Sequence, residues 1–230
     1  MRSVRDQGLV TGIEGELVRS DRGIEDSAPF VDRIVPRIED IFSDLPVLET
    51  GRLTLRKMCL DDAEDLFEYA SDPEVSTYTT WSPHLSLDDS REFLTRVLAL
   101  YENSELAEWG VIHKADRKFI GTCGFVDWSP YHSRAEIGYA MSRKYWGQGL
   151  MTEAARKVIG FGFENMRLNR VEARCMIENI GSARVMEKSG MTYEGILREH
   201  MYVPKGNPTK GRYDDLKMYS ILRREWDSDS

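Results

Sequence analysis

Between residues 136 and 161 the apolar positions change period. Ile137, Tyr139 and Met141 alternate with Glu136, Gly138 and Ala140, and a period of two predicts a strand. Leu150, Ala154, Val158 and Phe161 then recur at helical spacing. Gly147 and Gly149 stand between the two patterns, so a tight glycine turn joins strand to helix. Further strands are predicted at Leu53 to Met58, Trp109 to His113, Phe119 to Val126 and Val171 to Ile177, with two closing strands around Tyr193 to Tyr202 and Tyr213 to Ile221. Leu60 to Tyr69 reads as a helix, with Asp61 and Asp62 favourable to the dipole at its start. Ser86 caps another helix through about Glu102, with Phe93, Val97 and Leu100 on one face. A last helix begins at Asn179 and stops at Gly190, a residue suited to the left-handed conformation that ends helices. Helices between strands, with antiparallel hairpins, give a mixed α/β sheet.

Residues 1–45 break from this regularity. They hold six arginines against ten acidic residues, so −4 of the net charge of −8 lies there. Up to residue 30 no period is sustained, and Gly, Ser and Asp are frequent, which predicts a flexible acidic extension. Ile34, Ile38, Ile41 and Phe42 fit a short helix within 32–43, its start limited by Pro36. The folded domain is expected over 46–225. The acidic balance, with a pI of about 5.2, argues against a general nucleic-acid binder and permits a cationic partner. No apolar run approaches the ~20 residues of a membrane span, and the N-terminus lacks a signal-peptide core, so the expected location is cytoplasmic. Cys59, Cys123 and Cys175 are scattered and read as reduced thiols, and His84, His113, His132 and His200 show no metal-ligand spacing.

The glycine turn carries the chemistry. A helix N-terminus offers unpaired N–H groups and about half a positive charge, which suits a phosphate or pyrophosphate. A side chain at either glycine would hold the anion away from the amides. The Lys-Ser/Thr pair of a P-loop is absent here, as is the third glycine of a dinucleotide fingerprint. The spacing alone is equally that of an ordinary strand-to-helix connection.

Three blocks resemble a known family. Lys144-Tyr-Trp-Gly147-Gln-Gly149-Leu-Met-Thr-Glu153-Ala resembles the acyl-CoA pyrophosphate loop of the GCN5-related N-acetyltransferases (GNAT), in the variant of the RimJ/RimL-like ribosomal-protein N-terminal acetyltransferases. Cys175-Met-Ile-Glu-Asn179-Ile-Gly-Ser182 through Glu187-Lys188-Ser-Gly190-Met191 is similar to that branch's second signature. Leu48-Glu-Thr-Gly-Arg52-Leu-Thr-Leu-Arg56 is similar to its first strand. The likeness runs in order from residue 47 to about 222, and it departs only at Lys144, where the family usually has Gln or Arg.

The resemblance implies a mixed, mostly antiparallel central sheet, splayed open and flanked by helices, with acetyl-CoA entering the splay and no metal. It implies that the cosubstrate is held by Gly147, Gln148, Gly149, Leu150 and Met151, with charge from Arg143 or Lys144, pantetheine pairing along Tyr139, Ala140 and Met141, and contacts from Asn179 and Ser182. Asn179 is also a sufficient N-cap in its own right. Ser182 is either a small helix-start residue or the proton donor to the CoA thiolate; the family's alternative tyrosine position is here Met186. Glu136 is the candidate general base, against an exposed carboxylate or a partner of Arg134. Trp81, His84 and Trp128 are candidates for the acceptor pocket, with core packing the alternative for the tryptophans. Cys175 reads as a core or site-lining thiol. The implied activity is acetyl transfer to a protein N-terminal α-amine of ribosomal-protein type. A small-molecule amine acceptor or a non-catalytic CoA-binding module is the alternative, and a homodimer is compatible with the resemblance.

Overall fold

The computed structural model describes residues 36–203 and 211–228. The greater part of the expected acidic extension, up to residue 35, and the centre of the loop at 203–212 lie outside the described residues. The first described element is a one-turn helix, α1 (Ile38–Phe42), within the span expected for a short helix. Phe42 and Leu45 are buried, and the Phe42 ring lies 6.2 Å from Trp128, so this stretch packs into the core beside the sheet.

Among the described residues, eight strands form one sheet. In chain order they are β1 (Leu48–Glu49), β2 (Leu53–Arg56), β3 (Trp109–His113), β4 (Lys118–Ser129), β5 (Arg134–Met141), β6 (Arg170–Met176), β7 (Thr192–Val203) and β8 (Arg212–Leu222). Their order across the sheet is β1-β2-β3-β4-β5-β6-β8-β7. Every neighbouring pair is antiparallel except β5 with β6. That parallel pair is short: Arg134, Ala135 and Glu136 match Arg170, Val171 and Glu172, and the strands then part. The sheet is therefore mostly antiparallel and splayed at the place the resemblance implied.

Helices cover both faces. On one lies α5 (Leu150–Glu164), whose Leu150, Ala154, Val158 and Phe161 are all buried. Phe161 meets Trp109 of β3 edge-on at 5.3 Å. Burying each large side chain of this stripe stabilises by about 1.5–3 kcal/mol. On the other face lie α2 (Ala63–Ala70) and α4 (Leu87–Glu102). Tyr69 of α2 stacks on Phe119 of β4 at 6.1 Å. The buried seam of α4 is Ser90, Leu94, Val97 and Tyr101, so Phe93 and Leu100 flank it. Ser86 caps α4 as its sequence predicts, accepting from Asp89 N. The helix expected from Leu60 begins instead as a 3-10 turn. Buried Asp62 accepts from Cys59 N at 2.9 Å and pairs with Arg56 at 2.6 Å, which fixes that turn before α2 starts.

Three elements carry little hydrophobic period and escape the sequence reading: β1, the single turn α3 (Pro73–Ser76) and the closing α7 (Arg223–Ser228). Between β6 and β7 lies α6 (Ile180–Lys188), followed by Gly190 at φ +92°. No helix among the described residues is long and apolar enough to cross a membrane.

Candidate active site

Where β5 and β6 part, a cavity of about 1420 Å³ reaches both faces of the sheet. Residues 136–141 of β5 line it, with Arg174, Cys175 and Met176 of β6 across from them. One mouth is ringed by the start of α5 and the start of α6. The other is ringed by α2, the Trp81–His84 loop and α4.

The first mouth has the features an anion needs. Gly147 and Gly149 sit at φ +73° and +75°, the left-handed region where an L side chain is strained. A Cβ on Gly147 would meet nothing within 4 Å, so the turn is bare backbone rather than backbone squeezed by packing. Trp146 pins its near side by donating from Nε1 to the Met141 carbonyl at 2.8 Å. The far side is fixed from the turn between β1 and β2. Arg52 donates to the Gln148 carbonyl at 2.9 Å and pairs with Glu153 of α5 at 2.7 Å. Glu153 also accepts from Arg52 N at 2.9 Å and from the Thr50 hydroxyl at 2.5 Å. The first-strand block and the glycine-turn block of the sequence are thus physically one strut.

The remaining expected cosubstrate residues divide. Tyr139, Ala140, Met141, Leu150, Met151, Asn179 and Ser182 all line the cavity. Arg143, Lys144 and Gln148 do not. Arg143 is held by Asp72 at 2.7 Å and Lys144 by Glu68, so acidic side chains near α2 already neutralise the two charges expected at the loop. Gln148 folds back, donating from Nε2 to the Lys144 carbonyl at 3.1 Å. What the loop offers is chiefly its backbone.

Ser182 sits at a junction. Its backbone N–H donates to Asn179 Oδ1 at 3.0 Å, so Asn179 does cap α6. The Ser182 hydroxyl lies 2.9 Å from the Tyr139 hydroxyl, with the Cys175 thiol close by. Burial pushes the Tyr139 phenol well above its ordinary value and the Cys175 thiol up to about 11. All three groups therefore stand protonated near neutral pH. A thiol in that state is no nucleophile.

Glu136 has a partner, and it is not Arg134. Arg174 of β6 takes both of its carboxylate oxygens, donating from Nε at 2.8 Å and from a terminal nitrogen to the other oxygen. Arg134 turns instead to Glu172 at 3.6 Å. Arg174 also contacts His200 of β7. The expectation of a free base at 136 thus meets a bidentate clamp across the splay.

The acceptor candidates divide as well. Trp81 and His84 line the second mouth, their rings 6.0 Å apart. Burial lowers the His84 pKa, and its Nδ1 meets Ser90 Oγ at 2.8 Å, so the ring is neutral. Trp128 is a correction. It is buried against Phe42, away from the cavity, because it follows the bulge in β4 between Phe125 and Asp127.

Sequence reading missed Glu108, Thr122, Arg174 and His200, all of which line the cavity. Glu108 is half-buried just before β3, its carboxyl pushed up by burial to about 7 against a lowering influence from Thr122. The available signal was alternation: Arg174 is two residues from Glu172 on a strand, and Thr122 and Gly124 share one face of β4.

Residues 52–192 match the family described as the acetyltransferase (GNAT) domain. The chain is 37% identical over 182 residues to the uncharacterized N-acetyltransferase p20 of Bacillus licheniformis, covering 79% of this chain and 99% of that protein. It is 36% identical over 114 residues to YdaF of Bacillus subtilis, provisionally named a ribosomal N-acetyltransferase, covering 50% of this chain and 59% of that protein. Among solved structures, a GNAT-family acetyltransferase from Bacillus anthracis superposes with a TM-score of 0.66 at 31% identity, covering 78% of this chain and 99% of that one.

Proposed function

Because this chain belongs to the GNAT family of N-acetyltransferases, we propose that it moves the acetyl group of acetyl-CoA onto the α-amine at a protein N-terminus, of the kind ribosomal proteins present. The observation that carries the reading is the two-mouthed cavity at the splay. One mouth is a bare-backbone turn at a helix N-terminus, and the other is lined by aromatic rings and the neutral His84 imidazole, with the Glu108 carboxyl further in. The first suits a pyrophosphate and the second an amine. Its volume of about 1420 Å³ exceeds the ~300–1,000 Å³ usual for a small-molecule pocket, leaving room for a chain end beside pantetheine.

Each step then has a residue. The amides at Gly147, Gly149 and Leu150 hold the pyrophosphate. The open edge of β5 at Tyr139–Met141 aligns pantetheine as a strand would. The neutral amine attacks the thioester carbonyl, the C–S bond breaks, and Ser182 gives the thiolate its proton with Tyr139 behind it. Glu136 fixes Arg174, and through it His200, at the entrance between the strands. An α-amine, with a pKa near ~8 against ~10.4 for lysine, supplies neutral nucleophile readily at pH 7.

A thiol-release assay with acetyl-CoA tests this, using peptides that begin with Ala, Ser or Met beside a panel of small amines. Acetylation at the peptide α-nitrogen is the expected product. Turnover of small amines alone would move the acceptor to a metabolic or detoxifying class. Tight CoA binding without release on any acceptor would overturn the catalytic reading.

A further inference from the structure

Glu108 lies opposite the pyrophosphate turn, on the face of the sheet that carries α2 and α4. It lies beside two glycines that oppose each other in register, Gly124 of β4 and Gly138 of β5. A Cβ on Gly124 would fall 2.5 Å from the Glu108 Cα, so the Glu108 backbone occupies the space that a side chain there would take. At Gly138 the Val126 side chain fills the place of a Cβ, at 2.7 Å, and Glu108 Oε1 stands 3.7 Å from that place, so the carboxylate reaches β5 beside Val126. The backbone of Glu108 is itself anchored, its carbonyl accepting from the Tyr101 hydroxyl at 2.6 Å. Thr122, close by on β4, works against the rise in the pKa of that carboxyl.

From these positions we propose that Glu108 is the group that receives the acceptor: its carboxylate, in the cavity wall beside Val126 and Gly138, binds the incoming ammonium and takes the proton that the amine must lose before it attacks. The proposal rests on the amine-acetylation reading and deepens it. The proton count closes. An ammonium gives one proton to Glu108, which passes it to solvent. The amine then forms the C–N bond as the C–S bond breaks. The second nitrogen proton leaves through Glu108 to solvent, the thiolate gains one from Ser182, and solvent returns a proton to Ser182, so the net change at this stage is zero.

The surroundings favour this carboxylate over Glu136. Glu136 has both oxygens engaged by Arg174, whereas the neighbour identified for the Glu108 carboxyl is a neutral hydroxyl. The ionisable groups near it are Tyr69 of α2, Tyr101 of α4 and Cys123 of β4, with the Arg56–Asp62 pair beyond Tyr101 and the Glu136–Arg174 pair beyond Gly138. Burial raises both phenols and the thiol, so they remain neutral while Glu108 changes charge. With its carboxyl up to about 7, Glu108 is ionised above that pH and able to accept a proton, and it is increasingly protonated and inactive below it.

The test compares wild type, Glu108→Gln and Thr122→Val on a Ser-initiated peptide and on spermidine across pH 5.5 to 9. For Glu108→Gln the expected result is a fall of about 100-fold or more in kcat/KM, loss of the acid limb near 7, and acetyl-CoA affinity within about twofold of wild type. Thr122→Val removes the neighbouring hydroxyl that lowers this pKa, so its acid limb should move to higher pH. A Glu108→Gln enzyme within threefold of wild type would overturn the proposal. Should that variant fail to fold, an unmoved limb in Thr122→Val would overturn it equally. Wild type inactive on both probes would overturn the amine reading and this one together.

Discussion

The Tyr139 hydroxyl stands 2.9 Å from Ser182 Oγ and 3.1 Å from the Ser182 carbonyl oxygen, so β5 and α6 are joined at the proposed leaving-group end of the cavity. With Ser182 as the proton donor to the thiolate, Ser182→Ala should lower kcat about 100-fold, within the range usual for a lost general acid. Tyr139→Phe should lower it less, by about threefold to tenfold, because the serine keeps its own proton. Acetyl-CoA Kd should change by less than threefold in both. Steady-state kinetics with equilibrium dialysis check this, and equal kcat in Ser182→Ala and parent would return the serine to a packing role.

Gly149→Glu should raise the CoA Kd at least about 100-fold while the protein stays folded. The substitution sets negative charge at the proposed pyrophosphate site, where backbone hydrogen bonds to an anion would each be worth about 1.5–3 kcal/mol. Gly149→Ala separates the causes, since at φ +75° a methyl costs only about 1–2 kcal/mol of backbone strain. Calorimetric titration with CoA, beside a thermal melt, distinguishes the two.

Arg52→Ala should loosen the turn from a distance. The guanidinium joins Glu153 to the Gln148 carbonyl, so its removal frees the loop without touching the ligand surface. Expected are a threefold to tenfold weaker CoA affinity and a stability loss of no more than about 1 kcal/mol, because the pair is solvent-facing. Equal CoA affinity in variant and parent would show that the strut does not set the loop.

Glu194 predicts how the protein responds to acid. Hydrogen bonds from Arg170 and Ser220 hold its carboxyl at about 2, below the ordinary 4.5. A depressed carboxylate stabilises the fold above its unfolded value, and that contribution is lost as pH falls from about 4.5 through about 2. Glu194→Gln should therefore lower the urea midpoint at pH 7, and the gap to wild type should narrow below pH 4.5. A gap independent of pH would mean the pair contributes nothing through ionisation.

The elements that sequence made legible are those with one strong pattern and a chemical stop. The α5 stripe, the Ser86 cap and the Gly190 stop are each local, and each stands where its residues predict. The glycine turn was legible because φ above zero selects a residue type. What escaped depends on pairing across distance. No window of sequence shows that Arg174 reaches Glu136, that Asp72 and Glu68 hold Arg143 and Lys144, or that Glu108 settles beside Gly138. Trp128 went astray for a related reason. A bulge in β4 changes which face the later residues present, and alternation counted along the sequence cannot register it.

The brevity of the β5–β6 ladder has a thermodynamic consequence. Past Glu136, β5 keeps one side hydrogen-bonded to β4 and leaves the other without a neighbouring strand, in the middle of a sheet rather than at its margin. Such an interior gap is costly to leave wet and risky to leave open to another chain. A guest that lies along it repairs the sheet, so cosubstrate occupancy and cooperative unfolding become linked quantities. The free energy of unfolding should grow with ligand concentration by RT ln(1 + [L]/Kd), the melting temperature should rise with it, and the outward amides of Tyr139 to Met141 should slow their hydrogen exchange in step.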